Sequence, residues 1–168
     1  AGTSGLTSSF EYSIYENFTS DLFGITDFHW WGLSLFWTGT GFADCDPTGL
    51  TFDLTFYDDA AGQPGAEICS FPGLAPTAVD AGLLYSGYPL YSWDVTGLTP
   101  TCAPTGAAWV SLQSQPNAAD CTLMWISGTG GDGDSLQLDA STGLYTNTLY
   151  DRGMCITGDI VPVELQSF

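Results

Sequence analysis

The stretch Leu50-Thr51-Phe52-Asp53-Leu54-Thr55-Phe56-Tyr57 decides the fold class. Leu50, Phe52, Leu54 and Phe56 alternate with Thr51, Asp53, Thr55 and Tyr57. A period of two marks a strand with one face in a core. The turn-formers Asp58-Asp59-Ala60-Ala61-Gly62-Gln63-Pro64-Gly65 follow, and Ala66 to Phe71 runs back. Outward from this hairpin the same pattern repeats. Phe10-Glu11-Tyr12-Ser13-Ile14 alternates, Phe28 to Trp37 (FHWWGLSLFW) reads as a longer strand interrupted at Gly32, and Leu83 to Val95 holds two pieces. Ala107 to Gln113 and Cys121 to Ser127 flank the turn Gln115-Pro116-Asn117. Ser135 to Leu138, Leu144 to Tyr150 and Met154 to Thr157 complete about nine strands. No window shows apolar residues at helical spacing. The prediction is all-β: a single antiparallel β-sandwich, jelly-roll-like in topology.

A chain of 168 residues and 17.8 kDa suits one domain, and 44% hydrophobic with 14% aromatic residues excludes intrinsic disorder. Charge excludes more. Nineteen carboxylates stand against one cation, Arg152, for a formal net charge of −18. A nucleic-acid binder needs Lys and Arg to displace phosphate counterions, so nucleic acid is excluded as a partner, and anionic membrane surfaces with it. No apolar run reaches the roughly 20 residues of a spanning helix, so membrane insertion is not expected. Cys45, Cys69, Cys102, Cys121 and Cys155 show no CxxC spacing and no adjacent His. They fit an oxidising compartment better than a zinc site, with two disulfides and one cysteine over. Cys102 with Cys121 is the favoured local pair, because the two bracket a hairpin-like stretch. The chain therefore reads as extracellular or cell-surface, a mature form left by signal-peptide removal.

Several motifs, taken in order, resemble a known family. They are Glu16-Asn17-Phe18, then Ile25-Thr26-Asp27-Phe28-His29-Trp30-Trp31-Gly32, then Phe52 to Asp59 with Gly62-Gln63-Pro64-Gly65, then Tyr91-Ser92-Trp93-Asp94 and Ala108 to Leu112. Together they resemble a β-sandwich domain of secreted bacterial proteins that is often found upstream of a PEP-type C-terminal sorting signal. The resemblance covers residues 16–158 and implies a jelly-roll-like fold and surface export, but no reaction. Val161 to Phe168 is similar to the P-V-E-L-x-S-F segment that leads into further sequence in many such proteins. The expected division is an N-terminal extension with the first strand (1–15), the sandwich (16–158) and an extended tail (159–168).

Candidate chemistry is sparse. His29 is the only histidine, and Asp27 lies two residues away, but a strand of tryptophans favours a packing role. No nucleophile elbow, P-loop or HExxH occurs, and the chain is not expected to be an enzyme. No cofactor is required. Calcium is the candidate metal, with Asp132, Asp134 and Asp139 the best of three Asp-rich loops, although Asp and Gly are also ordinary turn residues. Asn17-Phe18-Thr19 is a glycosylation sequon with Asn17 as acceptor. Adjacent Trp30 and Trp31 must point to opposite sheet faces, so one of them is available for sugar stacking. The N-terminal residues lead into an alternating strand that suits insertion into the open sheet of another copy, with Leu6, Phe10, Tyr12 and Ile14 as contacts. Two functions follow. One is a non-catalytic structural subunit of a surface filament, matrix or surface layer, built from copies of itself through strand contacts. The other is a carbohydrate-binding or adhesive module that takes glycans.

Overall fold

The computed structural model describes residues 5–8, 11–20 and 22–160, in which every regular segment is a β-strand. The strands are β1 (Gly5–Ser8), β2 (Tyr12–Ser20), β3 (Leu22–Trp37), β4 (Phe42–Asp44), β5 (Thr51–Asp59), β6 (Pro64–Leu74), β7 (Val79–Tyr85), β8 (Tyr88–Val95), β9 (Gly106–Gln115), β10 (Thr122–Ile126), β11 (Ser135–Asp139), β12 (Leu144–Asn147) and β13 (Met154–Ile160). They form two antiparallel sheets: β2, β5, β6, β9, β11 and β12 in one, the remaining seven in the other. The all-β sandwich is as the alternation predicts. Thirteen strands stand where about nine were expected; Gly5–Ser8 and Phe42–Asp44, four and three residues long, are too short to show a period.

β3 is the spine of the seven-stranded sheet. One of its edges is shared end to end by β13, from Leu22 to Trp30, and β10, from Gly32 to Leu35. The other is shared by β8, from Phe28 to Gly32, and β4, from Leu35 to Trp37. The strand does not break at Gly32. A Cβ there would collide with Leu123 Cδ1 and lie 2.9 Å from Met124 O, so glycine allows the close approach of β10.

Inward residues follow the alternation. Phe52, Leu54 and Phe56 of β5 meet Trp30 and Phe28 of β3, with Trp93, Val110, Leu112, Leu123 and Trp125 around them. The Trp30 and Phe52 rings meet edge to face at 4.9 Å. The outer face of the seven-stranded sheet carries a second layer. Beyond Tyr91 the β7–β8 hairpin leaves β3, turns at Ser86 and Gly87 (both with positive φ), and lays Tyr85, Tyr88 and Leu90 on Leu33, Leu35 and Ile126. Tyr85 Oη sits 3.0 Å from Ser127 Oγ. This cover explains why Phe28–Trp37 is apolar on both faces.

Several expectations about the chain's ends and cysteines are corrected. Gly5–Ser8 pairs with β10 of its own sheet, and Leu6 packs on the core opposite Trp125. Ser8 is fully buried, donates to Leu112 O and accepts from Ser114 Oγ at 2.7 Å. Ile14 is wholly buried in β2, an interior strand between β11 and β9, while Tyr12 lies at the exposed start of that strand. Within this single chain Leu6, Tyr12 and Ile14 pair with strands of their own sheets; Phe10 lies outside the described residues. The boundary expected after residue 15 falls within β2. At the other end Asp159 and Ile160 complete β13, and 161–168 lie outside the described residues. Cys102 and Cys121 are not paired. The strand between them, β9, crosses to the opposite sheet instead of returning as a hairpin. The bonds are Cys45–Cys121 and Cys69–Cys102, and Cys155 is free and exposed.

Cys45–Cys121 closes 76 residues and Cys69–Cys102 closes 33. On chain entropy alone the longer loop should stabilise the protein by about 0.7 kcal/mol more. Denaturant unfolding of the two double Ser variants tests this, and peptide mapping without reduction should recover these two pairs and one thiol. Recovery of a Cys102–Cys121 peptide contradicts the topology.

Candidate ligand-binding cleft

On β2 the residues Ile14, Glu16 and Phe18 share the inward face, so the pleat itself drives a carboxyl between the sheets. Glu16 is 3% exposed and lies beside Arg152, also 3% exposed. The only cation of the sequence is therefore inside the protein. All three of its guanidinium nitrogens are engaged. Nε donates to Ser135 Oγ at 3.1 Å, Nη1 to Trp125 O at 3.4 Å, and Nη2 to Thr148 Oγ1 at 2.7 Å and Tyr150 O at 3.3 Å. Arg152 thus ties β10 and β11 to the segment that leads into β13.

Glu16 forms no ion pair with it. Burial pushes the Glu16 carboxyl up to about 9, against the opposing pull of a hydrogen bond from the Arg152 main-chain N–H. The neighbouring carboxylates Asp151 and Asp132 push in the same direction as burial. Glu16 is accordingly neutral at pH 7, and its Oε2 is buried without a hydrogen-bond partner. Such an orphan costs about 1–3 kcal/mol unless something satisfies it.

Glu16 lines an open cleft of about 550 Å³. Half-buried Trp31, Phe18 and Met154 give it apolar wall, and Asn17, Asp151 and the main chain of Gly128–Gly131 give it polar wall. The glycine-rich loop is held by Asp151, which accepts from Gly131 N at 3.2 Å and Gly133 N at 2.7 Å. A side chain at Gly131 would strike that carboxylate.

The residues singled out in the sequence fall in different places. Trp30 is wholly buried and closed to ligands, whereas Trp31 faces out into the cleft. Asn17 is at the cleft, with Nδ2 donating to Asp132 Oδ2 at 2.9 Å, so glycosylation there has to break that bond. Asp132, Asp134 and Asp139 do not converge. Asp134 precedes β11 and takes a hydrogen bond from Asn147, while Asp139 ends that strand and is occupied by Ser141 N (2.8 Å) and Oγ (2.6 Å). Five steps of extended chain separate Asp134 from Asp139 by about 17 Å. Among the described residues no three His, Cys, Asp or Glu side chains are grouped to hold a metal. Asp27 does not meet His29; its carboxylate accepts from Thr26 and Thr157.

Glu16, Asp151 and Arg152 were not among the candidates. Two signals were available: a carboxylate on an otherwise apolar strand face, and a lone cation in an acidic chain. No family model, curated protein or solved structure matches the chain. Among the described residues no helix is long and apolar enough to cross a membrane.

The raised Glu16 carboxyl sets the sign of a pH effect. Between the ordinary carboxylate range and about 9 the folded chain keeps a proton that the unfolded chain releases, so stability is complete in acid and falls as pH rises. The slope is at most about 1.4 kcal/mol per pH unit. Glu16→Gln should remove it and unfold at higher urea than wild type near pH 8. Equal slopes in both proteins would mean an ionised Glu16. Separately, calcium should raise the Tm no more than sodium chloride of matched ionic strength; a calcium-specific rise would restore a site in the Asp-rich loop.

Proposed function

We propose that this is a non-catalytic extracellular module that binds neutral carbohydrate in the Trp31–Glu16 cleft. The observation that carries the reading is the buried, unpartnered Glu16 carboxyl at a cleft with an aromatic wall. A neutral carboxyl both donates and accepts, which matches a hydroxyl group, and an indole suits the apolar face of a pyranose. Charge narrows the ligand. Asp151 and the net −18 disfavour acidic sugars, and buried Arg152 disfavours cations. No cofactor or metal enters this reading. Secretion fits the two disulfides, and the jelly-roll arrangement within the sandwich fits a chain that passes repeatedly between its sheets.

The test is an array of neutral and acidic glycans followed by calorimetry on the best binder. Wild type should retain neutral oligosaccharides, and Trp31→Ala should weaken binding by about 2 kcal/mol, roughly thirtyfold in Kd. Absence of neutral binders, or binding indifferent to both Trp31→Ala and Glu16→Gln, rejects the reading.

The second reading is a structural subunit that polymerises through strand contacts between copies. Val79, Leu83 and Leu84 of edge strand β7 are 58%, 63% and 72% exposed, and that favours it. Protected edges oppose it. β7 carries an irregularity between Asp80 and Leu84, β6 carries three with Pro72 among them, and β1 and β12 are short. Sedimentation of wild type and Leu84→Asp discriminates. Concentration-dependent oligomers that Leu84→Asp abolishes support assembly, and a monomer at high concentration in physiological salt excludes it.

A further inference from the structure

Cys155 is the cysteine left over by two disulfides, and its position in the sheet gives it neighbours that sequence distance hides. It lies on β13 directly opposite His29 of β3, and His29 lies directly opposite Asp94 of β8. Directly opposed residues of antiparallel strands share a face, with Cβ atoms about 5 Å apart. Thiol, imidazole and carboxylate therefore form one row across three adjacent strands. The row lines a shallow hollow of about 270 Å³ together with Asp27, Thr96 and Thr157. Asp94 Oδ1 is 3.1 Å from His29 Nδ1, which holds Nδ1 as the donor and leaves Nε2 as the basic nitrogen. The Trp31 ring stands edge to face with His29 at 5.2 Å and backs it on one side.

We propose that Cys155 is a base-assisted thiol that captures low-mass disulfides, with His29 accepting its proton and Asp94 positioning the imidazole. Nucleophile, base and orienting group stand in the order that thiol activation requires. The step balances without a further oxidant. Sγ attacks one sulfur of the incoming disulfide, its proton passes to His29 Nε2, and the new S–S bond forms as the old one breaks. The leaving thiolate then takes the proton, so that one thiol and one disulfide enter and one thiol and one mixed disulfide leave.

The hollow also sets the preferred disulfide. Asp94 reaches it from β8 and Asp27 from β3, and hydrogen bonds from Thr26 and Thr157 hold the Asp27 carboxyl below its ordinary value. His29 is the only basic side chain in the row, and the net charge around it is −18. A cationic disulfide is drawn to such a surface, and an anionic one is repelled.

The experiment follows adduct formation on the full chain by intact mass, with cystamine as the cationic disulfide and bis(hydroxyethyl) disulfide as the neutral one. Cys155→Ser is the blank. Wild type should gain one adduct, faster from cystamine, with the preference shrinking as salt is added. His29→Gln should slow the reaction with the neutral reagent at least about tenfold near neutral pH and remove an inflection from the pH–rate profile. Asp94→Asn should slow it without exposing a new thiol. If His29→Gln reacts at the wild-type rate with an unchanged profile, the base assignment is overturned. If both reagents react equally at low salt, the charge preference is overturned. The melting temperature of each variant separates either result from unfolding, and neither bears on glycan binding at the cleft.

Discussion

One strand has to satisfy four partners. β3 gives each of its two edges to two strands in succession, so nearly every element of the seven-stranded sheet is placed by it. Such a strand cannot be amphipathic in the ordinary way. Its inward residues Phe28 and Trp30 build the core, and its outward Leu33 and Leu35 need a second cover, which the β7–β8 hairpin provides by leaving the sheet and folding over them. Gly32 sits where β13 gives way to β10 and supplies the room that exchange needs. Covering both faces is what makes FHWWGLSLFW so apolar.

The chain beside the cleft meets a different requirement. The segment 148–152 has to be anchored although its Leu149 and Tyr150 are turned to solvent. Arg152 anchors it with four hydrogen bonds that converge on β10, β11 and the segment itself. Burying a cation is costly, and these hydrogen bonds offset the cost. Glu16 beside it does not complete a salt bridge, since burial outweighs attraction and leaves it neutral. The two adjacent groups are treated unequally: every nitrogen of the guanidinium has a partner, and the carboxyl keeps one buried oxygen without one.

The sequence carried the sheets and their inward faces because alternation is local. Phe52, Leu54 and Phe56 are buried as their period demands. It did not carry the cysteine pairing, which depends on β9 crossing to the far sheet, nor the internal use of Gly5–Ser8, whose four residues show no period. The adjacency of Trp30 and Trp31 did carry information, because the pleat forces one of them outward. The row Cys155–His29–Asp94 was beyond reach, since its members are 126 and 65 positions apart and meet only through two strand registers. Asp27, two residues from His29, was the nearer partner in the sequence; in the sheet the partner is a neighbour across the ladder.

Arg152 is also why the surface is so nearly single-signed. With the one guanidinium inside, the solvent face offers carboxylates, amides, hydroxyls and His29, and no Lys or Arg answers them. Repulsion between copies is then the default, and the irregular or short edge strands reinforce it. Such a surface disfavours anionic ligands. The two recesses differ within that limit. Trp31 takes part in both, lining the cleft on one side and backing His29 on the other. In the cleft its neighbours are a neutral carboxyl and glycine main chain, which favour hydroxyls; in the hollow Asp27 and Asp94 stand beyond His29, which favours positive charge. One indole thus stands between two recesses on the same outward face of β3, which Asp27, His29 and Trp31 share because they are two residues apart.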